Sequence, residues 1–276
     1  VDGSEAPLNL TAANPATDTG PVYAPDGRTL YYRAMKRPGF EADRFQIRAL
    51  DLASRNARDI AADWDRSPEG LVVAPDGRTL YTTVADLGAG SLFAVDVASG
   101  RRTRLDNRGT VAGVTVGRDA IVYGRDDLKS TAQLYRLSPR GGEPVALTRF
   151  NAARMAGLAL GDYEQFTFAG WNGETVHAYL VKPANFSAGA KYPVAFLIHG
   201  GPQGSFGNHF HYRWNPQTYA GQGYAAVMVD FHGSTGYGQA FTDSISGDWG
   251  GAPLEDLQKG WAAALDKYSF LDGERA

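Results

Sequence analysis

The chain has 276 residues, enough to bury a large core in one or two domains, and sets 27 basic residues against 30 acidic ones. Charge this close to balance gives no footprint for nucleic acid or for a strongly acidic substrate. Cysteine is absent, which excludes disulfides and thiolate metal sites, and no apolar run is long enough to cross a bilayer as a helix, so no membrane partner is expected. The sequence opens on Val1 rather than methionine, so the lack of a visible signal peptide carries no weight.

Residues 22–32 read VYAPDGRTLYY and residues 72–82 read VVAPDGRTLYT, which places Asp26 and Asp76 fifty residues apart. A fixed period of this size marks a repeat architecture. A degraded third copy, VTVGRDAIVYG, lies at 114–124. In each copy a strand ends, a tight turn follows with glycine where positive φ is needed, and a second strand begins. A further strand, turn and strand come after each: IRALDLASRNARDI, LFAVDVASGRRTRL and LYRLSPRGGEPVALT. Four short strands per unit describe a β-propeller blade. About three units are present where propellers close with four to eight, so the chain is expected to begin partway through a propeller. An open β-meander is the alternative. In the loop 37–43, Glu41 and Asp43 form either a site for a cationic group or part of a solvated loop.

The repeat pattern stops near residues 155–160. Residues 163–168 and 175–181 alternate apolar and polar positions around Asn172-Gly173, a hairpin signal. The stretch YPVAFLIHGGPQG at 192–204 follows. Its apolar run 194–198 predicts a strand buried on both faces, as in a parallel sheet. The run breaks into His199-Gly200-Gly201-Pro202. Adjacent glycines let the backbone turn tightly and bring bare N–H groups close to another group. At the carboxyl end of a parallel strand that group is usually a ligand. Two readings stand: a loop whose backbone donors stabilise the oxyanion of acyl transfer, or a tight strand-to-helix turn without a ligand.

Residues 216–222 predict a short helix and 224–230 (YAAVMVD) a second buried strand. Residues 253–268 predict an amphipathic helix with Pro253 in its first turn. Leu254, Leu257, Trp261, Ala264, Leu265 and Tyr268 form its apolar face. A hairpin leading into strand–helix–strand–helix opens an α/β sheet. Residues 270–276 head for another strand. Two buried strands without a further partner would leave an open apolar edge, so the polypeptide is expected to belong to a longer one or to pair with a second chain.

The Gly-x-Ser-x-Gly nucleophile elbow is absent: Ser234 is preceded two residues earlier by His232, Ser205 by Gln203 and Ser246 by Ser244. None of the five histidines, His177, His199, His209, His211 and His232, comes with a recognisable serine. His209 and His211 would share a face of a strand. Metal binding would need a third ligand, and hydrogen-bonded packing near Trp214 is favoured. There is no P-loop, dinucleotide fingerprint or His-Glu-x-x-His, so neither cofactor nor metal is expected.

The PDG repeats, IHGGPQGSFG, FHGSTGYGQAF and GDWGGAPLEDL, in that order, resemble the prolyl oligopeptidase family of serine peptidases. HYRWNPQ and HGGPQGSFG are most similar to its dipeptidyl peptidase V and acylaminoacyl peptidase branch. The resemblance covers nearly the whole chain. It implies the last blades of a β-propeller over 1–157 and the first half of an α/β-hydrolase catalytic domain, without its nucleophile elbow, over 158–276. It also implies a serine exopeptidase that takes dipeptides or blocked residues from peptide N-termini by Ser-His-Asp acyl transfer. The triad would follow Arg275, on a missing or separate C-terminal segment, so this chain alone is expected to be inactive. By motif, the Gly201 N–H is an oxyanion donor, and His199, Gly200, Ser234 and Tyr237 line the site. His232 stands where relatives more often carry arginine. The expected partners are a peptide substrate, the remainder of the hydrolase domain and, as often in the family, a second copy. A periplasmic or secreted location is favoured over a cytoplasmic one. The alternatives are a non-catalytic propeller-based binding protein with a hydrolase remnant, and an esterase using the HGG loop.

Overall fold

The two full Pro-Asp-Gly copies fold alike because the same short-range hydrogen bonds close both. Asp26 Oδ1 accepts the Arg28 N–H at 2.9 Å, and Asp76 Oδ1 accepts the Arg78 N–H at 2.9 Å. Gly27 and Gly77 take φ of 69° and 71°, where a side chain would be strained. The computed structural model describes residues 3, 4 and 6–276. In it these turns join β1 (Asp18–Tyr23) to β2 (Thr29–Ala34) and β5 (Val72–Val73) to β6 (Thr79–Asp86).

Each repeat is a four-stranded antiparallel meander. The first adds β3 (Gln46–Asp51) and β4 (Ala57–Ile60), and the second adds β7 (Ala89–Asp96) and β8 (Arg102–Asp106). Their second turns also match: Asp51 accepts the Ser54 N–H, and Asp96 accepts the Ser99 N–H, each at 2.7 Å. The degraded copy builds the third meander, β9 (Thr110–Val116), β10 (Ile121–Asp127), β11 (Ser130–Leu137) and β12 (Val145–Ala146). One parallel bridge, Gly90 with Thr110, links the second meander to the third. Faces of the first and second meanders share a core of Tyr31, Ile47, Ile60, Leu80 and Val95. The second and third share Leu92, Val111, Ile121, Tyr123 and Leu137. Among the described residues the meanders do not close into a ring. A short helix that the sequence did not suggest, α1 (Ala152–Ala156), ends the repeat region.

A separate sheet contains β13 (Tyr163–Ala169), β14 (Thr175–Val181), β15 (Val194–Leu197) and β16 (Ala225–Asp230), in the order β13-β14-β16-β15. Only β15 and β16 are parallel. Helices α2 (Pro216–Gly221), α3 (Gln239–Asp243) and α4 (Ala252–Lys267) follow the chain around it.

Two expectations need correcting. β16 is buried at all six positions, but β15 is not buried on both faces: Val194 is, residues 195–197 are half-buried, and Ile198 is 56% exposed. The reason is position, since β15 is the edge of the described sheet. Its outer side is met only at the start, by the segment expected to run toward another strand. There the Tyr192 N–H donates to Phe270 O, the Asp272 N–H to Tyr192 O and the Val194 N–H to Arg275 O, at 2.9, 2.9 and 2.8 Å. The second correction concerns α4. Of the expected face, Ala264 and Tyr268 are buried and Leu257, Trp261 and Leu265 pack half-buried against the core, but Leu254 is exposed, and Pro253, Asp256 and Gly260 are buried in addition. Gly260 sets this rotation. A Cβ there would lie 2.9 Å from both Phe168 Cζ and Val229 Cγ2, so the helix seats through its smallest residues.

Candidate active site

The loop leaving β15 carries most of the residues singled out in the sequence. Gly201 has φ of 140°, and a Cβ there would sit 2.9 Å from Gln203 N, so only glycine fits without strain. Gly200 and Gly201 are both exposed, and among the described residues no hydrogen bond occupies the Gly201 N–H. His199 turns inward instead. Its ring stacks on Phe231 with centroids 4.4 Å apart, Nδ1 donates to Gly200 O at 3.0 Å, and Nε2 lies 2.8 Å from Ser234 Oγ.

The structure therefore brings together a histidine and a serine that the sequence did not pair. They are not a nucleophile and its base. Ser234 is completely buried, so no substrate carbonyl can reach its Oγ. The far ring nitrogen of His199 faces a backbone carbonyl, where a triad places a carboxylate. Ser234 supports His199 from behind and does not reach the open surface.

Behind the loop lies a carboxyl group that sequence reasoning missed. Asp230 ends β16, is 4% exposed, and accepts Ser205 Oγ–H at 2.5 Å and Tyr237 O–H at 2.6 Å on the same oxygen. His199 Nε2 is 3.8 Å from its other oxygen. Burial pushes the Asp230 carboxyl above the usual carboxylate range, against the hydrogen bonds from Ser205 and Tyr237. Burial likewise pushes the Tyr237 phenol well up, and it pushes His177, opposite Asp230 across β14 and β16, below its usual 6.5. The available signal was a charged residue closing the apolar run YAAVMVD at the carboxyl end of a strand, where ligand sites gather.

A turn of the second meander grips this region from the other side. In the turn between β6 and β7, the Leu87 N–H donates to Gly236 O, and Gln165 Nε2 donates to Leu87 O. Gly88 O accepts from Tyr179 O–H at 3.1 Å and from the Asn208 N–H at 2.7 Å. Gly88 has φ of 80°, and a Cβ there would be 2.7 Å from Gln165 Nε2 and 3.0 Å from Tyr179 Cε2. Gly88→Val is accordingly expected to cost about 1–3 kcal/mol through overpacking, read as a lower denaturant midpoint. An unchanged midpoint would show that the seam is loose.

The loop 37–43 is neither wholly solvated nor open to an external cation at Asp43. That carboxylate accepts the Lys36 and Arg37 N–H groups and Arg37 Nε. Those contacts hold the Asp43 pKa below the usual range despite burial. The other end of Arg37 pairs bidentately with Asp243 of α3 at 2.8 Å. Glu41 is exposed and, with Gly201, Gln203 and Gly236, lines a cleft of about 290 Å³ between the first meander and the loop.

His209 and His211 lie in a loop, not a strand. His211 Nδ1 accepts the Arg213 and Trp214 N–H groups. His209 Nδ1 meets Asp126 Oδ1 at 2.7 Å, across from the third meander. Among the described residues, no group of three or more histidine, aspartate or glutamate side chains could hold a metal ion. The hydrogen bond to Asp126 raises the His209 pKa above 6.5. A raised pKa contributes stability that is complete below 6.5 and is lost as pH climbs through the folded value. The gap in thermal midpoint between the parent and Asp126→Asn should thus be wider at about pH 5.5 than at about pH 8.5. A gap equal at both would remove the ion pair from the account.

Residues 210–276 match the model of the prolyl oligopeptidase family. A probable dipeptidyl-peptidase 5 of Emericella nidulans is 36% identical over 292 residues, covering 99% of this chain and 40% of that protein. Dipeptidyl-peptidase 5 of Trichophyton tonsurans is 35% identical over 279 residues, covering 98% of this chain and 38% of that protein. The chain thus spans about two fifths of the length of the curated relatives it matches. Among solved structures, Pyrococcus horikoshii acylaminoacyl peptidase superposes with a TM-score of 0.78 at 23% identity, covering 91% of this chain and 38% of that one. A Mycobacterium tuberculosis puromycin-hydrolyzing peptidase gives 0.69 at 20% identity, covering 94% and 40%. At these identities the structural matches speak for the fold alone: β-meanders followed by an α/β sheet.

Proposed function

This chain belongs to the prolyl oligopeptidase family of serine peptidases, and from that premise we propose that it supplies the oxyanion loop and the facing blades of a serine exopeptidase. The reaction is release of dipeptides or blocked residues from peptide N-termini. A serine attacks the scissile carbonyl, a histidine takes its proton and passes it to the leaving amine, and a carboxylate holds the histidine. All three come from polypeptide outside these 276 residues. The relatives named as dipeptidyl-peptidases support the exopeptidase class.

One observation carries the reading. Gly201 is exposed just past the carboxyl end of a parallel strand, and among the described residues no hydrogen bond occupies its N–H. A backbone donor fixed there meets developing negative charge without reorganising. The N–H after the nucleophile would be the second donor.

The test is to treat the intact protein with a fluorophosphonate probe, map the labelled peptide, and assay dipeptidyl- and acylaminoacyl-chromogenic substrates. The expected outcome is a label beyond residue 276 and turnover that the label abolishes. A label on Ser234 or Ser205, or full turnover by these residues alone, overturns the proposal. Neither label nor turnover would favour a propeller-based binding protein.

A further inference from the structure

The loop 199–206 returns three times to the segment that ends β16. His199 Nε2 meets Ser234 Oγ at 2.8 Å, Gly204 O accepts the Thr235 N–H at 2.9 Å, and Ser205 Oγ–H donates to Asp230 at 2.5 Å. Between the first and second contacts lie residues 200–203, with Gly201 among them and Gly200 O held by His199 Nδ1. Asp230 reaches both ends of this arc: it accepts Ser205 at the trailing end and lies 3.8 Å from His199 at the leading one.

We propose that Asp230 is a positioning residue that fixes the path of the oxyanion loop, and with it the direction of the Gly201 N–H. The proposal rests on the reading of Gly201 as an oxyanion donor. Ser205 and Tyr237 both deliver their hydroxyl protons to the same oxygen, Oδ2. One acceptor thereby serves a residue of the loop and a residue of the segment behind it. In a site 4% exposed, no solvent stands ready to replace that acceptor. Ser205 and Tyr237 are half-buried, and a hydroxyl there that loses its partner inside the fold gives up a hydrogen bond, so the segment relaxes to regain one. A backbone donor displaced by about 1 Å from the developing charge loses on the order of 10²-fold in rate. What the position needs is an acceptor at Oδ2. An asparagine whose carbonyl takes that place keeps it, and an alanine does not.

The experiment uses the intact protein with the chromogenic substrate that the parent turns over. Asp230→Ala should lower kcat by about 10- to 100-fold with KM within about threefold, and Asp230→Asn should recover most of the loss. Amide hydrogen exchange should quicken in the peptide covering 199–206 in Asp230→Ala, and stay unchanged in the one covering 175–181. Should Asp230→Ala fail to fold, Ser205→Ala cuts the same link from the loop side and carries the same expectation. Unchanged kcat and unchanged exchange overturn the proposal, as does a rise in KM at constant kcat. Should the parent itself prove inactive, the peptidase reading falls, while the exchange measurement still decides whether Asp230 holds the loop.

Discussion

Gly201→Ala in the intact protein is expected to lower kcat/KM by on the order of 10²–10³, the loss typical of one oxyanion donor, with a stability loss of about 1–3 kcal/mol from the strained backbone. The backbone at φ of 140° is closed to L side chains, and the new Cβ would start 2.9 Å from Gln203 N. Either the loop shifts or the peptide plane turns, and both carry the N–H away from its target. The stability cost comes from that strain and not from a lost contact, because the residue is exposed and, among the described residues, no hydrogen bond occupies its N–H. Gly200→Ala is the internal control. No atom lies within 4 Å of a Cβ at that position, and its φ lies outside the left-handed region. It should cost less than about threefold. Equal losses from the two variants would assign the effect to general disturbance of the loop.

His232→Ala should be the most destabilising single change, about 3–5 kcal/mol by chemical denaturation. His232 is 1% exposed and Asp256 of α4 is fully buried. The ring Nδ1 meets Asp256 Oδ2 at 2.5 Å, and the His232 backbone N–H donates to the same oxygen at 2.6 Å. The other Asp256 oxygen accepts the Trp171 N–H at 2.6 Å, and His232 Nε2 lies 3.4 Å from Glu174 Oε2. The ring is also stacked on Phe241 at 4.1 Å. Alanine would remove the aromatic packing and leave a buried carboxylate without its side-chain partner. A loss under about 1 kcal/mol would mean that the backbone donors alone satisfy Asp256. The arginine expected here from the family resemblance is thus replaced by a residue that still meets Asp256, with contacts to Glu174 and Phe241 besides.

The meanders were legible because their information is local. Asp26 and Asp76 bond two residues ahead, and Gly27 and Gly77 supply the φ that the turn requires, all within a short window. The hairpin at Asn172-Gly173 is local in the same way: both residues take positive φ, between paired strands. The glycine loop at 199–204 was visible for its composition. Asp230 was not, because its partners Ser205 and Tyr237 stand 25 and 7 residues away and each is a commonplace residue on its own. On α4 the expectation fails at Leu254 alone, since apolar periodicity favours it over Gly260. What decided it was the room between Phe168 and Val229, a property of the assembled sheet. β15 looked doubly buried because the composition of a strand reports the environment it suits, whereas β15 stands at the edge of the described sheet.

The tip of the second meander has a mechanical meaning. A side chain on Gly88 would begin 3.3 Å from Tyr237 Oη, the same oxygen whose proton goes to Asp230. Gly88 O also holds the Asn208 N–H, just past the glycine loop. The neighbouring Leu87 N–H donates to Gly236 O, one residue before Tyr237, so moving this turn away from the sheet would draw on both bonds. A displacement of this turn is therefore passed both to the segment that carries Tyr237 and to the segment that follows the glycine loop.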